Sequence, residues 1–272
     1  MRICVHRFAP LYVAMMLIVV GGILAGGSVN PKSGRQYLET FDNGAGGWVS
    51  NRYEPLPIWD GVAHCYGPWY LDSNHAPPGA GYLHLLMYLY TGREMQKDHL
   101  GRTNNRFIEQ NQSTNFTNSK LTVRLRGEMD LQGSQLLLLA QARVGGITAN
   151  YVLSGQPLRI TKEWSEQTLR LVPDPAQWTC IGARWDLTDR YGCKDIASAL
   201  KDVNVDIIFV LFPLKVVPAG QVKEPHRLHP SPGPGKVPPG VTYPPFETYE
   251  IKREFLPRGI VMLDWVKIDY AD

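Results

Sequence analysis

Between Tyr53 and His75 the sequence YEPLPIWDGVAHCYGPWYLDSNH gathers Trp59, Tyr66, Trp69 and Tyr70 beside Asp60, His64, Asp72 and His75. Aromatic faces stack on the C–H faces of sugar rings, and neighbouring acids and amides hydrogen-bond hydroxyls, so this mixture is what a glycan site requires. Trp59, Trp69, Tyr70, Asp60 and Asp72 are therefore the candidate ligand-binding residues. The plainer alternative has these rings packing a long loop onto the body of the fold. Catalysis would need two groups to converge: Asp60 with Asp72, or His64 with Asp72, as the acid and base of a polysaccharide hydrolase or lyase. No motif accompanies them, since the sequence has no GxSxG, no HExxH and no phosphate-binding glycine loop. No catalytic residue is assigned.

Other reactive side chains are less informative. His226 and His229, in HRLH, have a metal-binding spacing only on a helix, which the surrounding prolines oppose, so solvated histidines are expected. Asn111 in NQS and Asn115 in NFT are glycosylation sequons within a polar stretch that reads as a surface loop.

The elements that must position these residues are bounded first by composition. The 272 residues, 19% charged and 44% apolar, can bury a substantial core. The net charge is +3, but Arg2 and Arg7 belong to a targeting segment; the remaining 26 basic residues face 25 acidic ones. A basic surface for nucleic acid is thus not supported. Residues 1–27 have a positive start, an apolar run and small residues at Ala25-Gly26-Gly27, the form of a secretory signal cut near Ser28. The run also approaches the roughly 20 residues that span a bilayer, so an uncleaved anchor is the alternative, and the membrane would then be met only through this segment. Residues 28–35 form a linker. In an exported chain Cys180 and Cys193, closing a short loop, are the expected disulfide, which leaves Cys65 as a buried free thiol.

From Leu121 onward the pattern is that of strands. In KLTVRLRGE, Leu121, Val123 and Leu125 alternate with Thr122, Arg124 and Arg126, one face buried and one wet. SQLLLLAQAR, ITANYVLS and EQTLRLV follow as short strands, and YLHLLMYLY is an earlier strand candidate. VDIIFVLFP reads as a central strand. GIVMLDWVKIDY keeps period two only if a bulge or twist intervenes. DIASALKDV predicts one short helix with Asp195 as N-cap and Ile196, Ala199, Leu200 and Val203 on one face. Ten prolines between Pro213 and Pro245 predict a long loop, and the insertion is placed at 213–258. Many short strands without βαβ alternation predict an all-β, antiparallel sandwich over residues 36–272.

The opening ETFDNGAGGW, the middle SKLTVRLRG, the helix-then-strand KDIASALKDVNVDIIFVLFP and the ending IVMLDWVKIDY together resemble the galactose-binding-like β-jelly-roll modules, which include laminin IV-type domains and several carbohydrate-binding modules. The similarity spans about Gln36 to Tyr270 as scattered patches. It implies a jelly roll with adjacent first and last strands, where acids hold a structural Ca2+. By position these are Glu39, Asp42 and Asp264, with Asp269 a weaker fourth, aided by carbonyls of Gly44 to Gly47. Solvated strand-end acids are the alternative. The chain is thus expected to be a secreted or cell-surface (or periplasmic) non-catalytic binder of carbohydrate or another extracellular surface component. A polysaccharide-acting enzyme and a structural envelope or matrix protein are the rival readings.

Overall fold

Alternation of the kind seen in KLTVRLRGE buries one face of a sheet, and two such faces close on each other throughout this protein. The computed structural model describes residues 36–50, 55–67, 70–72, 83–93, 104–183, 188–215, 217–222, 246–250 and 252–271. Residues 1–35, where a targeting segment and a linker were expected, and Trp69, His75, His226 and His229 lie outside them. Among the described residues no helix is long and apolar enough to cross a membrane.

The first sheet is built on β16 (Arg258–Asp269). One edge of β16 pairs along its length with β7 (Ser119–Asp130), which in turn pairs with β10 (Ser165–Leu171). The other edge is shared: β4 (Val62–Gly67) takes the first half and β1 (Gln36–Glu39) the second, while β3 (Ile58–Trp59) adds to β4. The first and last strands are therefore neighbours. The irregular register of GIVMLDWVKIDY has a local cause, because β16 carries a bulge between Leu263 and Trp265 that places Asp264 as the extra residue. Val261 and Leu263 before it, and Val266 and Ile268 after it, all face inward.

The second sheet centres on β13 (Asp206–Phe212), flanked by β8 (Gln135–Val144) and β6 (Leu83–Tyr90). Beyond β8 lies β9 (Ile147–Val152), joined antiparallel by β11 (Thr179–Cys180) and parallel by β12 (Tyr191–Gly192). Beyond β6 lie β2 (Trp48–Ser50) and β5 (Tyr70–Asp72). The central-strand reading of VDIIFVLFP holds: every residue of β13 is buried, Ile207, Phe209 and Leu211 toward the first sheet, Ile208, Val210 and Phe212 in a second apolar cluster on the far side. The fold is an antiparallel two-sheet β-sandwich.

Helical content is short, as expected, but not limited to one element. The segment Ile196–Lys201 has Asp195 as N-cap, its carboxylate accepting from Ser198 N–H, and buries Ile196, Ala199 and Leu200. A further turn of helix, Arg106–Glu109, is capped by Asn105. The proline-rich insertion is a loop only in part. Val217–Val222 (β14) and Phe246–Glu250 (β15) pair as an antiparallel ladder whose register slips between Pro218 and Gly220, where proline offers no N–H. Cys180 and Cys193 form the disulfide, and Cys65 is free and buried, its Sγ donating to the Leu86 carbonyl.

The connection ETFDNGAGGW carries the chain from one sheet to the other. Phe41 is fully buried at φ 60°, and Trp48 opens β2 with its indole N–H donating across the core to the Tyr37 hydroxyl. Gly46 is required by contact as well as by its φ of +60°, since a Cβ there would lie 1.7 Å from Glu39 Oε2.

Candidate functional site

The dense aromatic stretch is divided by the strand pleat. In β4, Ala63 and Cys65 point into the core, which leaves His64 and Tyr66 on the outer face of the first sheet. Asp60 and Gly61, at φ 50° and 71°, form the two-residue turn that folds β3 back onto β4. That is the left-handed pair such a hairpin demands. The turn sets Trp59 beside them: its ring centroid is 4.4 Å from His64 and 6.2 Å from Tyr66. Trp59 keeps 51% of its surface exposed and Tyr66 37%, so these rings are not core.

The pairing register extends this cluster across the sheet. His64 stands opposite Met262 of β16, and Met262 opposite Arg126 of β7. Trp164, just ahead of β10, receives the Arg126 guanidinium over its ring at 4.7 Å from the centroid, with the Arg124 guanidinium at 5.4 Å. The row Trp59, His64, Met262, Arg126, Trp164 therefore runs perpendicular to the strands. Its four strand-to-strand steps, each about 4.8 Å, give about 19 Å between the aromatic ends. Met262 and Ile260 are half-buried in the floor between them.

Charges along this face are mostly neutralised in pairs. Arg124 donates to Asp264 at 2.6 Å, and Lys162 lies 3.2 Å from Glu128. Arg126 has a buried Nε without a hydrogen-bond partner, as has Nδ1 of His64. Burial, with the charge of Arg126 second, holds the His64 imidazole below its ordinary pKa. Two aromatic ends and an apolar floor beside a guanidinium suit stacking and hydrogen bonding.

Of the residues singled out in the sequence, Trp59, His64 and Tyr66 come together on this face, and Asp60 holds the adjacent turn. Tyr70 and Asp72 belong to β5 in the second sheet, whereas Asp60 sits in the β3–β4 turn of the first. Trp69 lies outside the described residues.

The acids suggested for calcium also separate. Glu39 is buried, at 1% exposure; its Oε1 accepts from the Phe41 N–H at 2.9 Å and from Arg106 Nη2 at 2.8 Å. Burial raises its pKa, opposed by the Phe41 N–H and by Arg106. Arg106 also donates to the carbonyls of Gly44, through Nη2, and Gly46, through its backbone N–H, which uses two of the carbonyls a cation would have taken. Asp42 is exposed and accepts from the Thr40 hydroxyl. Asp264 is held on the outer face by Arg124, and Asp269 accepts from Gln36. Among the described residues no group of three or more His, Cys, Asp or Glu side chains is placed to hold a metal ion.

Sequence reasoning missed Trp164, Met262 and Arg106. The wet positions Arg124 and Arg126 were visible in the alternation of β7, and Trp164 shares their face by continuing the alternation of EQTLRLV backward. Their meeting depends on strand order, which that alternation does not carry. Compared with family models, curated proteins and solved structures, the chain finds no match.

Proposed function

We propose that this chain is an exported, non-catalytic binding protein whose first sheet takes an extended glycan, or another surface component with sugar-like faces, across its outer surface. The observation that carries the reading is the row from Trp59 to Trp164 on the outer face, with two aromatic ends about 19 Å apart over a floor of Met262. That length suits a short oligosaccharide better than a single ring. Export is supported by the Cys180–Cys193 disulfide, a bond that persists in oxidising compartments. Two carboxylates of this face, Asp264 and Glu128, are each engaged by a cation, which suits them to holding the surface rather than to paired acid–base work.

A glycan array with wild type and the Trp59→Ala and Trp164→Ala variants tests the reading. Retention by wild type and roughly tenfold weaker binding in each variant, about 1.4 kcal/mol, is expected. Retention of no glycan, or unchanged binding by both variants, would count against it. Reducing-end release from a polysaccharide panel would promote the hydrolase or lyase reading instead.

A further inference from the structure

We propose that the glycan taken by this face is acidic, and that Arg126, beside His64, receives its carboxylate or sulfate above Met262. The inference rests on the binding role just described and narrows its substrate class.

Three observations carry it. First, the other two charged positions of β7 on this part of the face are neutralised, Arg124 by Asp264 at 2.6 Å and Glu128 by Lys162 at 3.2 Å. Among the described residues Arg126 forms no ion pair, so the described part of the row keeps a positive charge at its middle. Second, the surroundings of Arg126 satisfy it poorly: its Nε is buried without a hydrogen-bond partner, and its cross-strand neighbour Met262 offers only a thioether. The planar fork of a guanidinium matches a carboxylate or sulfate through two parallel hydrogen bonds. Third, His64 lies on the far side of Met262 in the same row, and its Nδ1 is likewise buried and unpartnered. An anion above Met262 would stand between two nitrogen groups, with Trp164 under the guanidinium and Trp59 against the imidazole. The aromatic ends would then stack on the rings that flank the acidic substituent.

The test uses the full chain and matched pairs of polysaccharides that differ only in charge. These are polygalacturonate and its methyl ester, hyaluronan and its carboxyl-reduced form, and heparin and its desulfated form. Affinity electrophoresis at about 50 mM salt leaves exposed charge interactions only partly screened. For at least one pair, the acidic member should bind roughly tenfold tighter than its neutral partner, as charge-assisted hydrogen bonds require. Arg126→Gln should bring the acidic-to-neutral affinity ratio down to about one, whatever it does to the absolute affinity for the neutral member. Arg126→Lys, which keeps the charge but loses the fork, should recover only part of the preference. Thermal melts of the variants establish that they fold; if Arg126→Gln does not, the wild-type ratios and Arg126→Lys decide. Equal retention of acidic and neutral members would overturn this inference while leaving glycan binding intact. Retention of no member would overturn both.

Discussion

Replacing Arg106 by alanine should destabilise the protein through a residue 67 positions away in the chain. The substitution removes the guanidinium that donates to Glu39 Oε1 at 2.8 Å and to the Gly44 carbonyl at 2.9 Å. Glu39, at 1% exposure, then keeps only backbone donors against its carboxylate. Removing one partner of a buried pair costs about 3–5 kcal/mol; because Arg106 is itself 27% exposed, the lower end, about 3 kcal/mol, applies. In a domain of this size that corresponds to a midpoint about 6–12 °C lower. The loss has a sign with pH. Burial already raises the Glu39 pKa, and without Arg106 it rises further. A group whose folded pKa is raised stabilises fully below its unfolded value, near 4.3, and loses that contribution as pH rises through the folded value. The gap between variant and wild type should therefore be wider at pH 8 than at pH 5. Thermal melts at the two pH values are the assay, and Glu39→Gln added to Arg106→Ala should recover a large part of the loss at pH 8. Variant midpoints within about 2 °C of wild type at both pH values would refute the reasoning, since about 3 kcal/mol cannot produce so small a shift. Arg106 already supplies a positive charge to Glu39 Oε1, so added calcium should leave the wild-type midpoint unmoved.

Three further outcomes are expected. Cys180→Ser with Cys193→Ser opens a loop of 13 residues' separation and should cost about 3 kcal/mol by denaturant unfolding. Gly46→Ala drives a methyl into Glu39 and should lower the midpoint far more than Gly44→Ala, which meets nothing within 4 Å and bears about 1 kcal/mol of backbone strain at φ +89°; equal effects would separate the loop from Glu39. Cys65, buried with its thiol pushed up to about 12, should resist thiol reagents in the native state and react once the chain is unfolded.

The fold was legible where burial is one-sided or complete. Leu121, Val123 and Leu125 declared the inner face of β7, the unbroken apolar run of β13 declared a strand covered on both sides, and Asp195 marked a helix start that its Ser198 hydrogen bond bears out. Even the failed period in β16 pointed to the bulge at Asp264. The site was legible only in part. Trp59, His64 and Tyr66 were found together because β3 and β4 are a hairpin, and its Asp60-Gly61 turn is itself a sequence signal. Tyr70 and Asp72 were grouped with them by proximity in the chain, yet β5 joins the other sheet. Met262, Arg126 and Trp164 come from three separate strands, and only the pairing register makes them one row. Glu39 was a candidate cation ligand by its position in the resemblance alone, and its ion-pair partner, Arg106, was not legible because it sits on a turn of helix too short to show a period.

The central claim is that ligand lies across the outer face of the first sheet, and the indole N–H signals of the seven tryptophans report on it directly. With a retained glycan added to the full chain, the Trp59 and Trp164 signals should shift together along one saturation curve, while those of buried Trp48 and Trp178 stay in place. Saturation with neither Trp59 nor Trp164 moving would contradict the account.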